Sequence, residues 1–155
     1  MDGQQLSQLM TVRWTALQQL LEVSEHQIQA IRAGHMSELM RILSQKQPHL
    51  SRLSNAAAQL RATTSDDPEQ RHWDSPALRE ACRIQQEECE KMHLELLAIE
   101  AHCETLLQET RTGIQSELQQ IDNAHLAASS YAQSQATGSQ PTSHRGGQLD
   151  LSSDS

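Results

Sequence analysis

The sequence predicts an all-α protein: an elongated antiparallel helical hairpin followed by a long third helix, forming a coiled-coil-like bundle of three or four helices with a disordered C-terminal tail. Apolar residues recur at alternating three- and four-residue steps, which is the repeat of a helix seam. Aromatic residues make up only 2% of the chain, too few for a thick globular core. A slender bundle fits that composition. The clearest seam reads Met36, Leu39, Leu43, Lys46, Leu50, Leu53, Ala57 and Leu60.

The first helix is predicted over about residues 3–33. Asp2 is a good N-cap, and Gln5 stands three residues later, as in a capping box. Gly34 is suited to the left-handed conformation that ends helices. Residues 34–37 therefore predict a tight turn, and the first two helices are expected to be antiparallel.

The second helix is predicted over about residues 37–62. It contains Pro48, which predicts a bend near Lys46. Residues 63–75 are polar and rich in turn formers, and we interpret them as the one long linker. Ser75 and Pro76 then make a good cap and first turn for a third helix.

The third helix is predicted over about residues 76–130. Cys82, Cys89 and Cys103 lie on one stripe of it, at separations of 7 and 14 residues. Because seven residues rise roughly 10 Å along a helix, no disulfide within that helix is possible. We expect reduced, buried thiols.

The third helix is too long for its partners, since it would span roughly 80 Å against about 40 to 46 Å for the others. Residues from about 106 onward are therefore expected to present an unpaired apolar stripe, and such stripes mark protein contacts. The predicted partner-binding residues are Leu107, Ile114, Leu118, Ile121 and Leu126. We assign residues 1–131 to one helical domain and residues 132–155, rich in Ser, Gln and Gly, to a disordered tail.

Charge and motifs exclude several function classes. The net charge of -8 argues against nucleic-acid binding, and no segment is apolar enough to span a membrane. The N-terminus lacks a secretion signal, so the expected location is the cytoplasm. No phosphate loop, nucleophile elbow or metalloprotease motif occurs, and the glutamates of the third helix, Glu100 among them, are interpreted as a solvated face. The chain is thus predicted to be a non-enzyme without cofactors.

A metal site is the open alternative to buried thiols and surface histidines. Cys89 and His93 are four residues apart and could share a metal, with His102 or Cys103 further along the helix. Zinc requires about four ligands, however, and Cys89 and Cys103 are near 20 Å apart on a helix. We therefore predict no metal site.

The pattern of the first two helices resembles the FlgN-type flagellar export chaperones. The resemblance is carried by residues 14–21, by the Ala30 to Gly34 turn, by Ser37 to Leu39 and by Lys46 with residues 50–53. It extends to Tyr131 before the tail and to the apolar-acidic spot at residues 149–150. Pro48 departs from the smooth second helix of that family, and Asn123 is the only asparagine left in the third helix.

This resemblance implies a cytoplasmic chaperone of bacterial flagellum assembly. Such a protein holds the C-terminal helical segments of hook-filament junction proteins (FlgK and FlgL types) and delivers them to the export gate or ATPase complex of flagellar type III protein export. Tyr131 and the tail are then available to the export machinery. Apart from the resemblance, the exposed stripe itself would allow a client-free chain to form a homodimer. The alternative is a self-associating coiled-coil scaffold or adaptor with no export role.

Overall fold

The computed structural model describes residues 1–63 and 65–138, with side chains described up to residue 135. It contains helix α1 (Gly3–Ala33), helix α2 (Met36–Ala62), a short 3-10 helix (Pro68–Gln70) and helix α3 (Pro76–Gly138). No strand occurs in these residues, so the all-α prediction is confirmed. The chain divides into two units, residues 1–108 and residues 109–155.

Both ends of α1 form as predicted. The Asp2 side chain accepts a hydrogen bond from the Gln5 backbone N–H at 2.8 Å, and the Gln5 side chain accepts one from the Asp2 backbone. Gly34 has φ 72°, and the His35 N–H donates to the Ala30 carbonyl at 3.0 Å. This is a Schellman turn, which only glycine forms without strain. It reverses the chain, so that α1 and α2 pack as an antiparallel hairpin.

The predicted seam of α2 is partly wrong. Leu39 and Lys46 are buried, but Met36, Leu43 and Leu50 are exposed, and Ile42 and Ala56 take their places in the core. Two apolar stripes run side by side along this helix, each with three- and four-residue steps. The predicted seam combined residues of both stripes, because adjacent stripes of one helix share the same period.

Residues 63–75 are more than the linker that their polarity predicts. The Gly3 N–H donates to the His72 carbonyl at 2.7 Å, and Arg71 donates to the Met1 carbonyl at 3.3 Å. Trp73 packs against the core of residues 1–108. Residues 71–73 therefore pack against the start of α1.

The part of α3 up to residue 108 packs on α1 and α2 through one heptad stripe. Cys82, Cys89, Leu96 and Cys103 are all buried at steps of seven residues. The first three join Leu17 and Leu20 of α1 in one apolar cluster, and Cys103 joins Ile31 and Ile42 in a second. The three thiols are free and buried, which confirms the prediction for the cysteines.

The end of α3 differs from the prediction. The helix was expected to stop near residue 130 and a disordered tail to begin at residue 132, but α3 continues to Gly138. Ala127, Ala128 and Ala132 favour helix by their high propensity. Residues 139–155 of the predicted tail, including the apolar-acidic spot at residues 149–150, lie outside the described residues.

Candidate helix-docking surface

The candidate site is an apolar stripe on residues 109–138. Ile114, Leu118 and Ile121 follow one another at steps of four and three residues and are 53%, 55% and 62% exposed. Their positions fall within about 60° of one another around an ideal helix. We call these three residues the distal stripe.

Nothing among the described residues covers the distal stripe. Every described side chain from residue 111 to residue 135 is exposed. An exposed apolar stripe does not stabilise a single helix in water, because helices in proteins gain most of their stability when their apolar face packs against another element. The arrangement therefore suits the binding of a second amphipathic helix, the usual way in which such stripes are buried.

The other predicted site residues lie elsewhere. Leu126 and Tyr131 are exposed, but each is rotated by about 100° or more from the distal stripe on an ideal helix. The Tyr131 hydroxyl accepts a hydrogen bond from the Gln135 amide at 2.8 Å. Leu107 is 37% exposed and lies in the unit of residues 1–108. Of the five predicted partner-binding residues, three thus share one face of residues 109–138.

The edges of the distal stripe are acidic, since Glu117 and Asp122 flank it on either side of the helix. Residues 109–138 hold three acidic residues and one basic residue, a net charge of -2 with histidine neutral: Glu109, Glu117, Asp122 and Arg111. Gln119 donates to Asn123 at 3.2 Å along the helix. A helix that binds here would be favoured by basic flanks.

The chemically most unusual group of residues 1–108 is Lys46. Its side chain is 5% exposed, and its ammonium donates to Gln27 of α1 at 2.8 Å and pairs with the Glu100 carboxylate of α3. Ser24 donates to the same carboxylate at 3.4 Å. These four polar residues link all three helices, and we call them the polar layer.

The polar layer corrects one interpretation made from the sequence. Glu100 is not simply part of a solvated face, because its carboxylate pairs with the buried Lys46 ammonium. The Lys46 ammonium donates to Gln27 and pairs with Glu100 inside the bundle, so we interpret its role as structural. A buried charge of this kind costs free energy unless it is paired, and it favours the one helix register in which its partners meet.

The thiols are likewise arranged for packing. Desolvation by burial raises the pKa of Cys89 to about 11 and raises the pKa of Cys82 and Cys103 from their ordinary value. Nucleophilic or metal-binding cysteines need the thiolate, which this environment disfavours. Among the residues that the structure describes, no group of three or more His, Cys, Asp or Glu side chains could hold a metal ion.

The open groove between α1 and α2 does not suggest catalysis either. It encloses about 520 Å³ and is lined mainly by amides and apolar groups with a single charged side chain, that of Arg52. A general acid–base pair requires two titratable groups within hydrogen-bond reach of a substrate. Among the side chains that line this groove only that of Arg52 is ionisable, so they supply no such pair.

Comparison of the chain with protein-family models, with curated proteins and with solved structures gave no match. The resemblance to FlgN-type chaperones therefore stays a prediction from the residues named above. Within the described residues, no helix is long and apolar enough to cross a membrane.

Proposed function

We propose that this chain is a helix-binding protein, and more specifically a cytoplasmic chaperone of flagellar type III export. It holds the C-terminal helical segment of a hook-filament junction protein (FlgK or FlgL type) on the distal stripe and delivers it to the export gate or ATPase complex. It is a holder without enzymatic activity. The observation that carries the proposal is that Ile114, Leu118 and Ile121 are each more than half exposed on one face of α3.

The residue resemblance supports the same class of protein. Two of the features that it rests on, the Gly34 turn and Lys46, occupy structurally demanding places in the hairpin. These two features therefore support the fold that the resemblance implies. The export role rests on the resemblance alone. Tyr131 is proposed as a contact for the export machinery because it is exposed beyond the stripe.

The expected affinity is modest. Covering the exposed parts of three aliphatic side chains contributes on the order of 3 kcal/mol before the costs of association. The client helix must therefore gain further contacts along its flanks, and we expect a dissociation constant in roughly the micromolar range. Weak binding suits a carrier that has to release its client.

Isothermal titration tests the proposal. The titrant is a synthetic peptide that carries the C-terminal helix of a junction protein from the same organism. Leu118→Asp/Ile121→Asp should abolish binding of the peptide. Ser116→Asp/Asn123→Asp adds the same charge on the opposite face of the helix and should leave binding within about twofold. Equal affinity for wild type and Leu118→Asp/Ile121→Asp would exclude the distal stripe as the client site.

The second candidate function is a self-associating scaffold with no export role. The exposed stripe favours it as well, because a second copy can cover such a surface. A stable oligomer at low micromolar concentration that the junction-protein peptide does not dissociate would favour the scaffold.

A further inference from the structure

Polar side chains close the distal stripe at both ends. Arg111 lies seven residues before Leu118, and His125 lies seven residues after it; both are exposed. Because the seam of a helix pair repeats every seven residues, both side chains would face a helix that covers the stripe. Between them the seam holds only the three apolar side chains from Ile114 to Ile121. The distal stripe is therefore a short apolar window with a polar residue at each end.

Carboxylates line both edges of this window. Glu117 directly precedes Leu118, and Asp122 directly follows Ile121, which are the positions that flank a helix seam on either side. None of the ion pairs among the described residues involves either carboxylate. No lysine or arginine lies three or four residues away from either one along the chain. Both charges are therefore available to a binding partner.

In residues 1–108, by contrast, acidic side chains of α3 pair within their own helix. Arg83 pairs with Glu80 at 2.6 Å and with Glu87, three and four residues away. Pairs at this spacing stabilise the helix that contains them. Glu117 and Asp122 contribute nothing of this kind to their helix, and this difference favours an intermolecular role for them.

A second copy of the distal stripe is a poor partner for the first. In a parallel pair of helices, Glu117 of one copy would face Asp122 of the other, because the two flanking positions of a seam meet there. In an antiparallel pair each edge would meet the same edge of the other copy, so carboxylates would again face carboxylates. Like charges placed together disfavour a complex, whereas opposite charges favour it. The partner that fits is a helix with basic edges.

We propose that the distal stripe selects a basic amphipathic helix with three successive apolar side chains in its seam, lysine or arginine along both edges, and an acidic side chain opposite Arg111. The acidic side chain accepts hydrogen bonds from the guanidinium, which a helix packed over it would otherwise desolvate. This selection rests on the proposed function, because it defines which segment of a client the stripe holds. It adds to that function the chemistry by which one helix is chosen over another.

Two synthetic helices of about three heptads test the edges. Both carry three successive leucines in the seam and a glutamate at the seam position on either side; one has lysine at every edge position and the other has glutamate. Fluorescence anisotropy of the dye-labelled peptides should show that wild type binds the lysine-edged helix about tenfold or more tightly at low salt. The difference should shrink at high salt. Equal affinity for the two helices at low salt would overturn the proposal.

Reversing the charges of the edges gives a matched comparison. Glu117→Lys/Asp122→Lys should reverse the preference, so that the glutamate-edged helix binds more tightly. Ser116→Lys/Asn123→Lys adds two lysines on the opposite face of the helix and should keep the preference of wild type. A preference that reverses in both variants would reveal a general charge effect and overturn the proposal. Loss of folding cannot reverse a preference, so the comparison does not depend on equal stability of the variants.

Arg111→Leu tests the end of the window. The probe is an analogue of the lysine-edged helix with leucine in place of both seam glutamates. Wild type should bind the original helix more tightly than the analogue, and Arg111→Leu should bind the analogue more tightly. The same order of affinities in both proteins would overturn the selection of an acidic side chain opposite Arg111.

The junction-protein peptide separates this proposal from the proposed function. If wild type selects the lysine-edged helix and does not bind the junction-protein peptide, the export function fails and the selection by charge stands. If the junction-protein peptide binds at the distal stripe and wild type does not distinguish the two designed helices, the selection by charge fails and the export function stands.

Discussion

Residues 1–108 bury their helix stripes, whereas residues 109–138 expose theirs. Both regions carry apolar residues at the same helical period, yet Leu17 and Leu20 have no exposed surface while Ile114, Leu118 and Ile121 are more than half exposed. The difference teaches that periodicity identifies a helix face without identifying its partner. In the first region the partner is the chain itself, and for the second we propose a helix of another protein.

The largest expected effect on the free energy of unfolding comes from replacing one leucine by alanine in each region. Leu17→Ala should lower the free energy of unfolding by about 2 to 5 kcal/mol, because it leaves a cavity in the core. Leu118→Ala should change it by less than about 0.5 kcal/mol, because that side chain is exposed. Urea unfolding followed by circular dichroism measures both. A comparable loss in the two variants would mean that the distal stripe is buried in solution.

Glycine substitutions should have opposite signs in the two regions. A Cβ on Gly3 would lie 2.5 Å from Trp73 and 2.7 Å from the His72 carbonyl, so Gly3→Ala should destabilise by about 1 to 3 kcal/mol. A Cβ on Gly113 meets nothing within 4 Å. Gly113→Ala should therefore raise helicity and stabilise the helix by up to about 1 kcal/mol.

Thermal unfolding with circular dichroism detects both changes. Gly3→Ser is the control that enlarges the same clash and should be at least as unstable as Gly3→Ala. Normal stability of both would show that residues 72–73 do not pack on α1.

Neutralising one carboxylate in each region tests the polar layer. Glu100→Gln leaves the buried ammonium of Lys46 without its ion-pair partner and should cost about 1 to 2 kcal/mol, a value reduced by the 42% exposure of the Glu100 side chain. Glu117→Gln alters an exposed carboxylate and should be neutral within about 0.5 kcal/mol.

Lys46→Met completes a double-mutant cycle with Glu100→Gln. If the two residues interact, the double variant should be more stable than the sum of the single losses predicts. Additive losses would show that Lys46 and Glu100 do not interact.

The smallest expected effect is a loss of stability at high pH. The pKa of Cys89 is raised by burial from 9.0 to about 11, so the folded state holds its proton where the unfolded chain has lost it. Stability is then full below pH 9 and falls as the pH rises toward 11, by about 1 to 2 kcal/mol. Unfolding midpoints between pH 8 and 11 should fall less steeply for Cys89→Ala. Identical slopes would exclude Cys89 as a source.

The sequence predicts the helices well and their contacts only in part. The caps at Asp2 and Gly34 and the heptad spacing of the cysteines depend on neighbours in the chain, and these predictions are confirmed. The pairing of Lys46 with Glu100 joins residues 54 positions apart, and no local pattern encodes it. The choice between the two stripes of α2 also depends on which face α1 and α3 cover.

The sequence predicts the helical spacing of the candidate site but not all of its residues. Ile114, Leu118 and Ile121 were expected on an uncovered helix, and they are exposed in the structure. Leu126 was included because it is apolar and near in sequence, although its angular position on a helix differs. Tyr131 was expected only as a contact for the export machinery, from the family resemblance. The exposed apolar face of α2 was missed because Met36, Leu43 and Leu50 had been assigned to the buried seam; the step of four residues from Met36 to Met40 was the signal that could have found it.

The burial of all three cysteines of the chain has a practical consequence. A cysteine introduced at an exposed position such as Ser129 would be the most accessible sulfhydryl, so a maleimide dye could be attached there without replacing the native ones. Fluorescence from such a dye would report, in real time, on whatever binds along residues 109–135.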